Sequence, residues 1–213
     1  MSIKDIKMEN SKRKSSIKRD QILKVAGQLF MEHGFNAVTM DAIAEAAPVS
    51  KPTLYNHFEN KPALFFAVME ARADSLFRAI ENEIKPDQPI EKTLTNIGHS
   101  FLDVVLRPEG VRMYRVMVAE SGQFPELGKI FYESGPRRIS ALISSYLRKE
   151  HESGRLNVPH PDMSANFYLN MIKGNGHMQC LMSLKEKIPP KDRAEVIDYA
   201  VSIFLKGHRP NAG

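Results

Sequence analysis

Residues 39–64 read TMDAIAEAAPVSKPTLYNHFENKPAL, and their punctuation decides the fold. Pro48 has no amide hydrogen and disfavours a helical conformation at Ala47 before it, so a helix that opens after Thr39 ends there. Thr39 is placed to cap that helix, its hydroxyl accepting from an otherwise unpaired first-turn amide. Ser50 can cap the next helix at once. Pro52 falls in that helix's first turn, where a missing amide costs nothing. The spacing predicts a short second helix over residues 40–46 and a third over residues 51–57. Glu59 and Asn60 mark a further stop, and Lys61 and Pro62 open the next helix.

Upstream, residues 16–33 carry Ile22, Val25, Ala26, Leu29 and Phe30 on one helical stripe, and Gly34 stands where a C-terminal glycine belongs. Downstream, a long helix is predicted over residues 63–84, broken by Pro86 and Pro89. Further helices fit residues 90–106, 109–121, 136–152, 162–184 and 190–206, with a short one over residues 125–133. Apolar residues recur at 3 and 4, not 2, and no strand pattern or internal repeat is visible. The expected class is all-α.

The 213 residues are 42% hydrophobic and 26% charged, an ordinary globular composition. No apolar run approaches the ~20 residues needed to cross a bilayer. The first twenty residues lack an apolar signal region, and Cys180 alone cannot form an internal disulfide. A cytoplasmic protein without a membrane partner is expected. Net charge is +5, a bias that permits nucleic-acid binding without demanding it. Lys4, Lys7, Lys12, Arg13, Lys14, Lys18 and Arg19 crowd the N-terminal end against only Asp5 and Glu9, and residues 1–14 are expected to form a flexible arm. That arm reads either as a solvated tail or, beside a DNA-binding helix, as a phosphate or minor-groove contact.

Two helices joined by a turn of about four residues, with another stacked beside them, form the layout of a helix-turn-helix. Leu54 and Phe58, four apart, can face a small core of Phe30, Ile43 and Val49. Lys51, Thr53, Tyr55, Asn56 and His57 are then left outward, with donors and acceptors suited to base edges and phosphates. Ser50 to Thr53 lie at the amino end, where free amides favour phosphate. The same geometry also occurs in folds that never touch DNA.

Residues 39–64, with ILKVAGQLFMEHGF (residues 22–35) upstream, resemble the DNA-binding signature of the tetracycline-repressor (TetR) family of bacterial transcription regulators. The resemblance covers residues 22–68 without a gap. It implies a three-helix DNA-binding domain over residues 15–62, with the helix-turn-helix at residues 39–58. A helical-bundle domain for ligand binding and dimerisation would follow over residues 63–213. It further implies that Thr39 touches a phosphate and that Lys51, Pro52 and Thr53 lie nearest the base edges. Tyr55 and His57 would hold the backbone, and Lys61 would clamp another phosphate. One departure stands out. The family usually has glycine where this chain has Pro48, so either the turn is built differently or the two helices cross at a changed angle.

The segment RVMVAESGQFPELGKIFYESGPRRISALISSYL (residues 115–147), with SGRL at 153–156, looks like the AefR-type C-terminal class. That implies a repressor-like regulator and fixes no ligand. From the residues themselves, Phe101, Met113, Tyr114, Met117, Phe131, Phe167 and Met171 read either as core or as the lining of an apolar effector cavity. Arg112, Arg115 and Glu120 meet polar ligand groups or pair with each other and with solvent. Phe167, Met171, Gly174, Met178 and Leu181 recur at 3 or 4, and Tyr199, Ile203 and Phe204 add apolar area. The last two helices are therefore the expected homodimer surface. An isologous dimer would present two third helices about 34–36 Å apart, matching an inverted-repeat operator.

An enzyme is not expected. His177 and Cys180 lie three apart, but structural zinc needs four ligands and nothing nearby supplies the rest. No phosphate-cradling glycine loop or nucleophile–base pair is present, and no cofactor is expected. The expected function is a homodimeric, ligand-released repressor, the alternative being a helical protein-interaction adaptor without sequence-specific DNA binding.

Overall fold

The computed structural model describes the backbone of residues 3–210 and the side chains of residues 15–210. Among the described residues it is all helical, as expected. The elements are α1 (Ile3–Ala37), α2 (Met40–Ala46), α3 (Lys51–His57), α4 (Lys61–Glu81), α5 (Ile90–Val105), α6 (Pro108–Glu120), α7 (Pro125–Ser134), α8 (Pro136–Glu152), α9 (Pro161–Leu181) and α10 (Pro190–Gly207). Proline sets many of the starts. α6 through α10 each begin on one, where a fixed φ near −65° suits the helix and the missing amide had no intrahelical partner.

The largest departure is α1, which runs from Ile3 and not from about residue 16. No proline or glycine precedes Gly27, so nothing in the local chemistry stops the helix earlier. The arm expected to be flexible is thus helical in its backbone from Ile3, and its side chains, through residue 14, lie outside the described residues. At the other end Gly34 interrupts α1 with φ 79°. That conformation favours glycine, and a Cβ there would lie 2.8 Å from the Glu120 carboxylate.

The chain forms two compact units, Met1–Ala71 with Val116–Phe131, and Arg72–Arg115 with Tyr132–Gly213. The division expected between residues 62 and 63 is therefore displaced, and the first unit takes in a later segment. Phe124 explains the return: its ring sits edge-on to Phe35 at 5.5 Å. Phe30, Phe35 and Phe65 pack mutually at 5.2–5.7 Å. Around them Ile22, Ala26, Ile43, Ala47, Leu54 and Leu64 are fully buried.

The turn from α2 to α3 resolves the question raised by Pro48. The Ala47 amide bonds the Ile43 carbonyl at 2.9 Å, and the Val49 amide bonds the Ala44 carbonyl at 3.0 Å. The second is the long bond of a Schellman motif, whose left-handed position is usually glycine. Pro48 occupies that position with φ 20°, far from the −65° its ring prefers. The turn is not rebuilt around proline. Proline is forced into a glycine's place, and it cannot donate the motif's second bond.

In the second unit α8 packs on α9, and α10 packs on both α5 and α9. Tyr168, fully buried, donates its hydroxyl to the Leu94 carbonyl and ties α9 to α5. α9 is broken at Gly174 (φ 53°), and the segment beyond carries His177, only 6% exposed. Its ring meets Tyr114 edge-on at 5.1 Å. Burial pushes the imidazole down to about 4, and the charge of Lys173 acts the same way.

Two outcomes follow from this packing. Pro48→Gly should raise stability by about 1–3 kcal/mol, the cost of one strained residue, as a higher urea midpoint with an unchanged slope. His177 has a folded pKa below its ordinary 6.5, so the unfolded chain takes up the proton first. Stability should be full above about pH 6.5 and decline, on the order of 2–3 kcal/mol, as the pH falls towards 4. His177→Gln should flatten that part of the urea-midpoint profile.

Candidate nucleic-acid interface

Seven residues make α3, too few to hold themselves together, so both its ends and its inner face are fixed by neighbours. Ser50 caps it, the hydroxyl accepting from the Thr53 amide at 3.3 Å and lying 2.8 Å from the Thr53 hydroxyl. Leu54 (0% exposed) and Phe58 (5%) are its anchors in the core. Arg19 of α1 lies over the Phe58 ring at 5.4 Å. With those two side chains inside, Ser50, Lys51, Pro52, Tyr55 and Asn56 are exposed, and Thr53 and His57 are half-buried. Thr39, also exposed, caps α2 by accepting from the Ala42 amide at 3.1 Å.

Two lysines on this surface are already engaged. Lys51 donates to the Asp41 carboxylate at 2.7 Å. That hydrogen bond and its charge hold the ammonium above the ordinary lysine value. Lys61 donates to the carbonyls of Phe35 (2.9 Å), Asn36 (3.3 Å) and Val38 (2.8 Å), with its nitrogen 4.4 Å from the centre of the Phe35 ring. Burial lowers its pKa, and Glu120 opposes the shift. An ammonium has three donors, and all three are used. The geometry therefore makes Lys61 a cap on the orphan carbonyls ending α1; the phosphate clamp expected of it would require giving up one of these bonds.

The residues expected to line an effector cavity fall partly in each unit. Met117, Glu120 and Phe131 belong to the first unit, and Phe101, Met113, Tyr114, Phe167 and Met171 to the second. Met113 and Met117 are buried, whereas Phe167 is 60% exposed. Phe167 and Met171 instead line an open groove of about 550 Å³ with Ile203 and His208. Arg115 closes the end of α9, donating to the Leu181 carbonyl at 2.9 Å and the Cys180 carbonyl at 2.5 Å. Arg112 faces Glu109.

The expected dimer surface is partly corrected. Phe167, Met178, Tyr199 and Ile203 stand exposed on α9 and α10. Phe204 does not: it is 2% exposed, packed edge-on against Tyr168 and stacked on His208. It follows Ile203 in the chain, and a step of about 100° along a helix carries it to the inner face. Met171 and Leu181 lie partly buried against the core, and Gly174 breaks α9 where continuous close packing was expected. The pairing of Asp41 with Lys51 and the place of Arg19 over Phe58 were not legible in the sequence, because neither spacing is a helical one.

Comparison with known proteins agrees with this arrangement. The model of the tetR family of bacterial regulatory proteins matches residues 22–68, and that of the AefR-like transcriptional repressor C-terminal domain matches residues 92–210. The chain is 33% identical over 88 residues to the transcriptional activator FasR of Mycolicibacterium smegmatis, spanning 41% of this chain and 40% of that one. It is 22% identical to the uncharacterised transcriptional regulator YvkB of Bacillus subtilis, over 88% of this chain and 95% of YvkB. The solved structure of the flavonoid-responsive regulator FrrA superposes with a TM-score of 0.80 at 32% identity, over 92% of this chain and all of FrrA. A DNA-binding helix-turn-helix domain followed by an AefR-like domain places this chain in the TetR family of bacterial transcription regulators.

Proposed function

We propose that the protein is a homodimeric repressor that binds an inverted-repeat operator through α3 and is released by a small apolar or amphipathic ligand. The observation carrying this reading is the division of α3 into a buried anchor and an outward polar face. Leu54 and Phe58 fix the helix, and Ser50, Lys51, Pro52, Tyr55 and Asn56 are left exposed, with Thr53 and His57 half-buried beside them. Base edges are read by the amino-terminal residues of this face, and phosphates are met by Thr39, Tyr55 and His57. The basic residues of the arm add affinity without sequence preference.

Dimerisation is supported by the apolar side chains that α9 and α10 leave exposed, Phe167, Met178, Tyr199 and Ile203 among them. Two copies meeting there form an isologous four-helix contact and present two copies of α3. FrrA is named for its response to flavonoids, which supports a planar, amphipathic effector for this chain too. Release requires that the effector bind the non-DNA state more tightly, because equal affinity for both states shifts nothing.

Tyr55→Ala should weaken operator binding about tenfold or more, read by a mobility-shift titration, with dimer mass unchanged. Equal affinity for the selected operator would remove Tyr55 from the interface. Ile203→Glu combined with Tyr199→Glu should halve the mass measured by light scattering, from twice 24.1 kDa to 24.1 kDa, and abolish half-site cooperativity. A double variant that stayed dimeric would move the interface off α10.

A further inference from the structure

Between residues 39 and 58 the chain carries a single lysine or arginine, Lys51, against the two acids Asp41 and Glu45. A surface relying on phosphate attraction is not built this way, since non-specific affinity comes from Lys and Arg neutralising phosphates. Nor is Lys51 free. Its ammonium lies 2.7 Å from the Asp41 carboxylate, and both side chains are more than half exposed. The pair joins the first residue of α3 to the second residue of α2, across the turn that positions the reading helix.

We infer that Asp41 is a specificity-determining residue: its ion pair with Lys51 reads a G·C base pair in the major groove and withholds Lys51 from phosphates elsewhere. This rests on α3 being the groove-reading helix. On arbitrary DNA, moving Lys51 to a phosphate exchanges one anion for another and strands the Asp41 carboxylate in a field of like charge. The exchange gains little. At a G·C pair both partners are satisfied together. Guanine presents N7 and O6 as adjacent acceptors for the ammonium, and the paired cytosine presents its N4 donor to the carboxylate. An A·T pair fits worse, because its N6 donor sits between the acceptors and faces the ammonium. The pair thus acts as one reading unit, neutral until a matching base pair separates its members.

The test is selection from a randomised duplex pool with the full-length protein, its Asp41→Asn, Asp41→Glu and Lys51→Ala variants, and a salt titration on the selected and scrambled duplexes. Wild type should select a motif with a G·C pair in each half-site. Asp41→Asn should keep the rest of that motif but lose about 10-fold to 100-fold of preference at that one pair. It should also bind scrambled duplex more tightly, with a log–log salt slope steeper by about 0.9 per chain. Asp41→Glu, which keeps the carboxylate, should retain the preference, and Lys51→Ala should lose it at the same pair without steepening the slope. A residue that merely braced α2 would change the melting temperature and leave base preference alone. An Asp41→Asn protein with the wild-type motif at every position and an unchanged slope overturns the inference, as does a Lys51→Ala loss at a different pair. If wild type itself selects no motif, the groove-reading role of α3 fails, and the inference with it.

Discussion

The arrangement of the DNA-binding unit depends on one turn, the four residues that carry the chain from α2 into α3. The Val49 amide reaches back to the Ala44 carbonyl, and this bond sets the direction in which α3 departs. Because α3 has only seven residues, that direction and the burial of Leu54 and Phe58 decide everything it displays. Pro48 occupies the left-handed position of the turn at φ 20°. The strain persists because the surrounding contacts over-determine it: Ala47 and Leu54 are both fully buried on either side.

The charges of this unit are arranged around that turn with an economy of free cations. Lys61 is held by three carbonyls where α1 ends. Lys51 is held by Asp41. The segment from Thr39 to Phe58 is left nearly neutral, and exposed cations such as Lys18 lie outside it on α1.

The second unit is organised around a different constraint, the burial of Tyr168 and Phe204 between α5, α9 and α10. With those two aromatic rings turned inward, their neighbours Phe167, Ile203 and Tyr199 are turned out. An apolar face of this kind is costly to leave in water. Gly174 breaks α9 and lets its last turn carry His177 and Cys180 inward.

The sequence by itself determined the helical class, the bounds of α2 and α3, and the division of α3 into anchors and an outward face. These follow from capping residues, prolines and 3–4 spacing, which act within a turn or two of chain. It also carried the family resemblance that the matched models bear out. Only the tertiary structure decided how the side chains are used. Lys61 meets carbonyls more than twenty residues away, Lys51 meets Asp41 across a turn, and Phe124 returns a later segment to the first unit. Phe204 lies in the core and Ile203 on the surface, although both are apolar neighbours in the chain. Periodicity assigns apolar residues to a helix, but which of two apolar faces turns inward depends on the helices packed against it, and those partners are distant in sequence.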